Sequence, residues 1–83
     1  MLRPDMRNVS YISHEVVSLM VDNDWTPARA WREHLGLTQH DMADRLGVSQ
    51  SAYAQQEAGS KLRKTSREKI AAALGIDAAL LDL

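Results

Sequence analysis

Amide and hydroxyl side chains gather on one short stretch of the chain, from Ser49 to Gln55. On a helix that begins at Gln50, residues Gln50, Ser51, Ala54 and Gln55 share one face, and that face is small, polar and without acidic residues. Glutamine amides can bond bidentately to N6 and N7 of adenine, and short hydroxyls near a helix N-terminus suit phosphate. The pattern favours reading of bases in the DNA major groove over its alternative, a solvated polar face.

Arrangements for catalysis or metal binding are missing from the sequence. The chain has no Cys, and His14, His34 and His40 show no spacing with carboxylates that would define a metal site. There is no nucleophile elbow and no phosphate-binding glycine loop. We therefore expect no enzyme activity, no metal and no cofactor.

No apolar run approaches the roughly 20 residues that cross a bilayer, so a cytoplasmic location without membrane contact is expected.

Positive charge is concentrated in one segment, although the whole chain has a formal net charge of −1. Residues 59–69 hold five basic side chains against Glu68 alone, and the stretches on either side are slightly acidic. Taken alone, such a run is most often a solvated surface. Because it follows the candidate reading helix directly, we compare it below with the pattern of a known family.

Capping residues and apolar spacing divide the chain into short helices. The turn between the third and fourth, Gly47-Val48-Ser49, is tight; it needs a positive φ at Gly47 and a small Ala43 beneath it. The predicted helices are His14 to Asn23 after Ser13, Pro27 to the Gly36 stop after Thr26, Gln39 to Leu46 after Thr38, Gln50 to about Ala58 after Ser49, one capped by Thr65 or Ser66 and ended by Gly75, and a last turn from Ala78 to Leu81 after Asp77. The predicted core consists of Met42, Leu46, Val48, Tyr53, Ile70 and Leu74, closed by Leu35 and Leu37.

The spacing of these residues resembles the Xre family of phage-repressor-like helix-turn-helix domains. The resemblance is carried by Leu37-Thr38-Gln39, Met42-Ala43, Leu46-Gly47-Val48-Ser49, Tyr53 and Glu57-Ala58-Gly59, and it extends from Arg29 to Ile76. It implies an all-α, compact five-helix bundle of the lambda-repressor-like DNA-binding type, with a short N-terminal extension and an extra helix. The expected divisions are an extension over residues 1–24, the DNA-binding domain over residues 25–76, and a C-terminal turn over residues 77–83.

The resemblance also implies a role for each matching position. Gln50, Ser51 and Gln55 would read bases, while Gln39 would contact the DNA backbone and brace the reading residues. Arg32 and Glu57 would form a structural salt bridge. The remaining backbone contacts would be Ser49, Lys61, Arg63 and Lys64, and two further residues, Arg67 and Lys69, would either join them or decorate a helix surface. Gln56 departs from the apolar or aromatic residue usual at its position.

Two kinds of protein partner follow from the same resemblance. Such domains bind two half-sites as homodimers, and the candidate contacts are Ile76, Leu80, Leu81 and Leu83, unless these cap the chain's own core. The stretch from Ile12 to Val17, together with that from Ala30 to Gln39, looks like antitoxins of the HigA type, which pair with a RelE-like or ParE-like toxin and repress their own operon. Candidate toxin contacts are Tyr11, Ile12, Val16 and Met20, unless their helix only extends the core. The alternatives are a solitary or phage-derived regulator, and a protein-interaction module that has lost DNA binding.

Overall fold

The computed structural model describes residues 13–59 and 62–82, and it confirms the all-α five-helix architecture. The elements are α1 (His14–Asn23), α2 (Pro27–His34), α3 (Gln39–Leu46), α4 (Gln50–Ala58), α5 (Lys64–Leu74) and a 3₁₀ turn (Ala78–Leu81). Helix α1 packs against α2, and α3 packs against both α4 and α5. The 3₁₀ turn folds back onto α5 and α2. Helices α3 and α4 therefore pack together as one unit, and α2 and α5 pack against that unit.

Side-chain caps set the first four helix starts at the predicted residues. In each case the cap oxygen accepts a hydrogen bond from the backbone N–H three residues later, which satisfies one of the unpaired donors of a helix N-terminus. Thr38 adds a capping box, since its own N–H donates to the Asp41 carboxylate at 2.9 Å. The four capping bonds are donated by the backbone N–H groups of Val16 to Ser13 at 3.2 Å, of Arg29 to Thr26 at 3.3 Å, of Asp41 to Thr38 at 3.0 Å and of Ala52 to Ser49 at 3.1 Å.

The start of α5 corrects the sequence prediction. Neither Thr65 nor Ser66 is the cap; the helix begins at Lys64 after Arg63 and has no side-chain cap. The Arg67 backbone N–H already bonds to the Arg63 carbonyl at 2.9 Å, and the Arg67 guanidinium donates to the Leu62 carbonyl at 2.8 Å. These two contacts from Arg67 order the entry into the helix in place of a hydroxyl cap.

The turn between α3 and α4 depends on the backbone conformation of one residue. Gly47 has a φ of 68°, and the Val48 N–H returns to the Ala43 carbonyl at 3.0 Å, which closes α3. A Cβ atom placed on Gly47 would meet nothing within 4 Å. Glycine is therefore required by the left-handed conformation and not by space, and the turn sets the angle at which α4 leaves α3.

The core lies where α2, α3, α4 and α5 meet, and it differs from the predicted core at its edges. Leu37 and Leu46 are partly buried against it. Leu35 and Val48 are 41% and 37% exposed, because one follows the end of α2 and the other stands in the turn; their assignment to the core was wrong. The buried apolar residues include the predicted Met42, Tyr53, Ile70 and Leu74, together with Val16, Ala28, Ala30, Trp31, Ala43, Ala71, Ile76, Leu80 and Leu81.

The C-terminal apolar residues belong to this core and not to an exposed contact. Ile76, Leu80 and Leu81 are only 4%, 8% and 6% exposed. The 3₁₀ turn, begun by Asp77 through a 2.9 Å bond from the Ala79 N–H, folds these side chains inward. Their assignment as a dimer interface is therefore corrected in favour of its alternative, a cap on the chain's own core. Leu83 lies outside the described residues.

The candidate toxin contacts on α1 are also corrected, because the described ones face the chain's own core. Val16 is fully buried and Met20 packs partly buried against the core, while Tyr11 and Ile12 lie outside the described residues. The apolar residues that α1 does expose are Val17 and Val21, at 39% and 74%. Among the helices of residues 13–59 and 62–82, none has the length and apolar character to span a membrane.

Candidate nucleic-acid interface

Helix α4 separates its buried residues from its exposed polar ones. Tyr53 and Glu57, one turn apart, are buried against the rest of the protein. Gln50, Ser51 and Gln55 are exposed, Gln50 at the first position of the helix and Ser51 and Gln55 on the side away from Tyr53 and Glu57. The polar face predicted from the sequence is thus presented to solvent by a helix that is anchored from behind.

A buried ion pair holds the C-terminal half of α4 to α2. The Arg32 Nε donates to Glu57 Oε2 at 2.6 Å and Nη2 donates to Oε1 at 3.1 Å, with side-chain exposures of 8% and 3%. The Arg32 Nη1 also donates to the Leu37 carbonyl at 2.7 Å. Such a two-point pair fixes both separation and orientation, so the expected Arg32–Glu57 contact ties three chain segments together.

Glu57 also connects α4 to the start of α3 and of α2. The Gln39 Nε2 donates to Glu57 Oε1 at 3.2 Å, and the Thr26 hydroxyl donates to the Glu57 backbone carbonyl at 2.7 Å. Gln39 is half-buried at the first position of α3, where the backbone contact was expected. Any shift of α4 would therefore disturb Gln39 as well, which gives the bracing role a physical basis.

The ionisation of this cluster follows from its hydrogen bonds. Burial raises the pKa of the Glu57 carboxyl, but hydrogen bonds from Arg32 and Gln39 outweigh burial, and the pKa lies below the ordinary value. The bond to Glu57 raises the pKa of the Arg32 guanidinium. Burial raises the pKa of the Tyr53 hydroxyl, which stays neutral. The pair is fully charged at neutral pH and offers no proton for chemistry.

The expected backbone contacts are only partly brought together. Ser49 is exposed but already caps α4, and Arg63 and Lys64 are exposed at the start of α5. Arg67 is half-buried, with its guanidinium on the Leu62 carbonyl, so of its two alternatives the structure favours the local structural one. Lys69 is exposed on α5 and Gln56 is half-buried on α4, while Lys61 lies outside the described residues.

Sequence reasoning missed one charged feature beside this face. The Arg29 guanidinium lies 4.3 Å from the centre of the Trp25 ring. Trp25 precedes α2, so the i,i+4 rule for helical neighbours does not apply, and the sequence carried no signal for this contact. No metal-binding group of three His, Cys, Asp or Glu residues occurs within residues 13–59 and 62–82.

The family assignment rests on a match over well over half of the chain. A family model described as Helix-turn-helix matches residues 29–81. The chain therefore belongs to this Xre-like helix-turn-helix family, whose members are DNA-binding regulators of transcription and not typically enzymes. No curated protein and no solved structure matches the chain significantly. The match begins after α1, so the first helix lies outside the family region.

Proposed function

We propose that this protein is a sequence-specific repressor that places α4 in the major groove of its operator. Gln50, Ser51 and Gln55 read base edges there, and Gln39 contacts the backbone. Ser49, Lys61, Arg63 and Lys64 supply further phosphate contacts. The single observation that carries the proposal is the division of α4, which is locked by Tyr53 and Glu57 on one side and exposes uncharged polar side chains on the other.

The repressor acts as a homodimer on an inverted repeat. One helix-turn-helix reads only a few base pairs, so two copies on half-sites about 34 Å apart, or a multiple of that, are needed for specificity. Because Ile76, Leu80 and Leu81 are buried in the chain's own core, the two copies meet through other residues.

Footprinting on the promoter of the protein's own gene tests this arrangement. We expect two protected half-sites related by a two-fold axis and overlapping the promoter, with two protein copies bound per site. Protection of a single isolated half-site by one copy would contradict the dimer, and uniform protection along the fragment would contradict sequence reading.

A second candidate function, that of an antitoxin which represses its own operon, is favoured by the exposed side of α1. This helix lies outside the family match and exposes Val17 and Val21. Its only formal charges are Glu15 and Asp22, both exposed, and Asp24 follows at its C-cap. An apolar strip flanked by acidic residues is unsuited to DNA but complements a basic protein surface, such as that of a RelE-like or ParE-like toxin. The alternative is a solitary or phage-derived regulator.

The antitoxin function is tested by coexpressing the product of the adjacent gene of the same operon. We expect a toxin that copurifies with the wild-type chain and is lost from a Val17→Ser, Val21→Arg variant. This variant should keep its operator affinity, because neither valine is a proposed DNA contact or lines the groove beside α4. Leu35→Ser removes an apolar residue elsewhere that is about as exposed as Val17, and this variant should keep the toxin. An operon without a toxin gene would favour the solitary regulator. Equal toxin binding by the α1 variant and by Leu35→Ser would show that the exposed side of α1 does not contact the toxin.

A further inference from the structure

A groove runs between the segment that leads into α2 and the C-terminal half of α4. Its α2 side is lined by Asp24, Trp25, Thr26 and Arg29, and its other side by Gln39, Ala54, Glu57 and Ala58. The Thr26 hydroxyl fixes the floor through its 2.7 Å bond to the Glu57 carbonyl. Since the α4 residues that line it apart from Glu57 are alanines, the groove stays open beside the proposed reading face.

Arg29 is held at the edge of this groove before any ligand arrives. Its guanidinium stacks on the Trp25 ring at 4.3 Å, and its Nε lies 3.7 Å from Glu33 Oε2 one turn along the helix. Stacking on an aromatic ring restricts a long side chain, so less conformational entropy is lost when the guanidinium binds a ligand. The side chain remains about half exposed, so its remaining N–H groups can reach an outside acceptor.

We propose that this groove seats one phosphate of the operator backbone, bound by the Arg29 guanidinium and the Gln39 amide. The inference rests on the proposed function, because it needs α4 to lie in the major groove. Gln39 uses one Nε2 hydrogen on Glu57 and lines the same groove as Arg29, so its second Nε2 hydrogen is left for an acceptor that enters the groove. A planar guanidinium and a primary amide together supply the converging donors that phosphate oxygens accept.

Nearby carboxylates do not oppose this phosphate strongly. The Glu57 carboxylate is neutralised by its two-point pair with Arg32. Glu33 Oε2 lies 3.7 Å from the Arg29 Nε and 3.5 Å from the Arg32 Nη2, and its side chain is 37% exposed, so a phosphate can replace it on Arg29 at little cost. Asp24 is exposed at the rim, where water and salt screen its charge. Glu33 therefore acts as a weak competitor that lowers affinity for any anion at Arg29.

Affinity for DNA across a salt series tests the phosphate contact, with the promoter fragment and a scrambled fragment as probes. Arg29→Gln should weaken binding to both fragments about tenfold and reduce the slope of log affinity against log salt by about one, with the preference for the promoter unchanged. Glu33→Gln should strengthen binding to both fragments. Trp25→Leu should give a smaller loss than Arg29→Gln.

Arg45→Gln is the matched control, because Arg45 is an exposed arginine on α3 whose guanidinium bonds to the Ala73 carbonyl at 2.8 Å, outside the groove. An Arg29→Gln variant with the affinity and salt slope of Arg45→Gln would overturn the proposal. So would a change in base preference, which would make Arg29 a reading residue. A third outcome separates this proposal from the proposed function. If wild type and Arg29→Gln both bind the two fragments equally, but Arg29→Gln still lowers the slope of log affinity against log salt by about one, the phosphate contact is supported and the repressor function fails.

Discussion

We expect Glu57→Ala to lower the free energy of unfolding by about 3–5 kcal/mol, because it leaves the buried Arg32 guanidinium without its carboxylate. In a domain of this size such a loss lowers Tm by roughly 12–40 °C. Arg32→Met should have a similar effect, since it leaves the Glu57 carboxylate buried and unpaired. Urea and thermal unfolding of the two variants measure both quantities.

Two further variants test whether the loss of stability comes from leaving a buried charge unpaired and not from the removal of any charged side chain. The double variant Arg32→Met, Glu57→Leu should be more stable than either single variant, because no unpaired charge remains. Asp44→Ala removes the partner of His40 in a pair that is 69% exposed on both sides, and it should cost less than about 0.5 kcal/mol. A Glu57→Ala variant as stable as Asp44→Ala would contradict the anchoring role of the pair.

The same pair predicts how stability depends on acid. The pKa of Glu57 is lowered in the folded protein, so its contribution is complete above the ordinary glutamate pKa and is lost as pH falls through the lowered value. The difference in unfolding free energy between wild type and Glu57→Ala should therefore be constant near neutral pH and shrink in acid. A difference that grew on acidification would contradict the depressed pKa.

We expect Gln50→Ala and Gln55→Ala each to reduce the preference for the operator over unrelated DNA by about 1–3 kcal/mol, or roughly 5- to 150-fold. Both side chains are exposed, so the loss should come without a change in unfolding free energy. Binding to unrelated DNA should be almost unchanged, because phosphate contacts supply it. Competition binding with labelled operator and unlabelled unrelated DNA measures the ratio.

Gln56→Ala is the matched control for this prediction, because it deletes the same amide from the same helix away from the exposed face. Gln56 is half-buried, whereas Gln50 and Gln55 are exposed. The control should keep the operator preference of the wild type, apart from any small loss of stability. If all three variants kept the preference, or all three lost it equally, the assignment of the reading face would be contradicted.

Helix starts were predictable because they depend on local chemistry. Ser13, Thr26, Thr38 and Ser49 are followed by helices for the reason that their side chains bond to nearby backbone N–H groups, and this is visible in the sequence alone. The end of α3 was equally local, because Gly47 takes the left-handed conformation that few other residues tolerate. The prediction of the start of α5 was wrong because no hydroxyl cap sets it. The Arg67 side chain instead bonds to Leu62, which lies outside the helix.

Burial at the edges of the core was harder to predict, because it depends on how distant elements meet. Ile76, Leu80 and Leu81 look the same in sequence whether they face a partner or fold back on α5. Helical spacing places Val16 on one face with Leu19 and Met20, but only the packing of α1 on α2 decides whether that face meets a partner or the chain's own core. The groove beside Arg29 was hidden for the same reason, since its two sides come from helices about 25 residues apart.

The preference of the wild-type protein for its own promoter tests the central claim most directly. Binding to the promoter fragment and to a scrambled fragment of equal length should be measured across a salt series. The account predicts a promoter affinity at least about 10³-fold higher than that for the scrambled fragment, with both affinities falling steeply as salt rises. Equal and weak binding to the two fragments would contradict it, and would make the fold a protein-binding module that has lost DNA recognition.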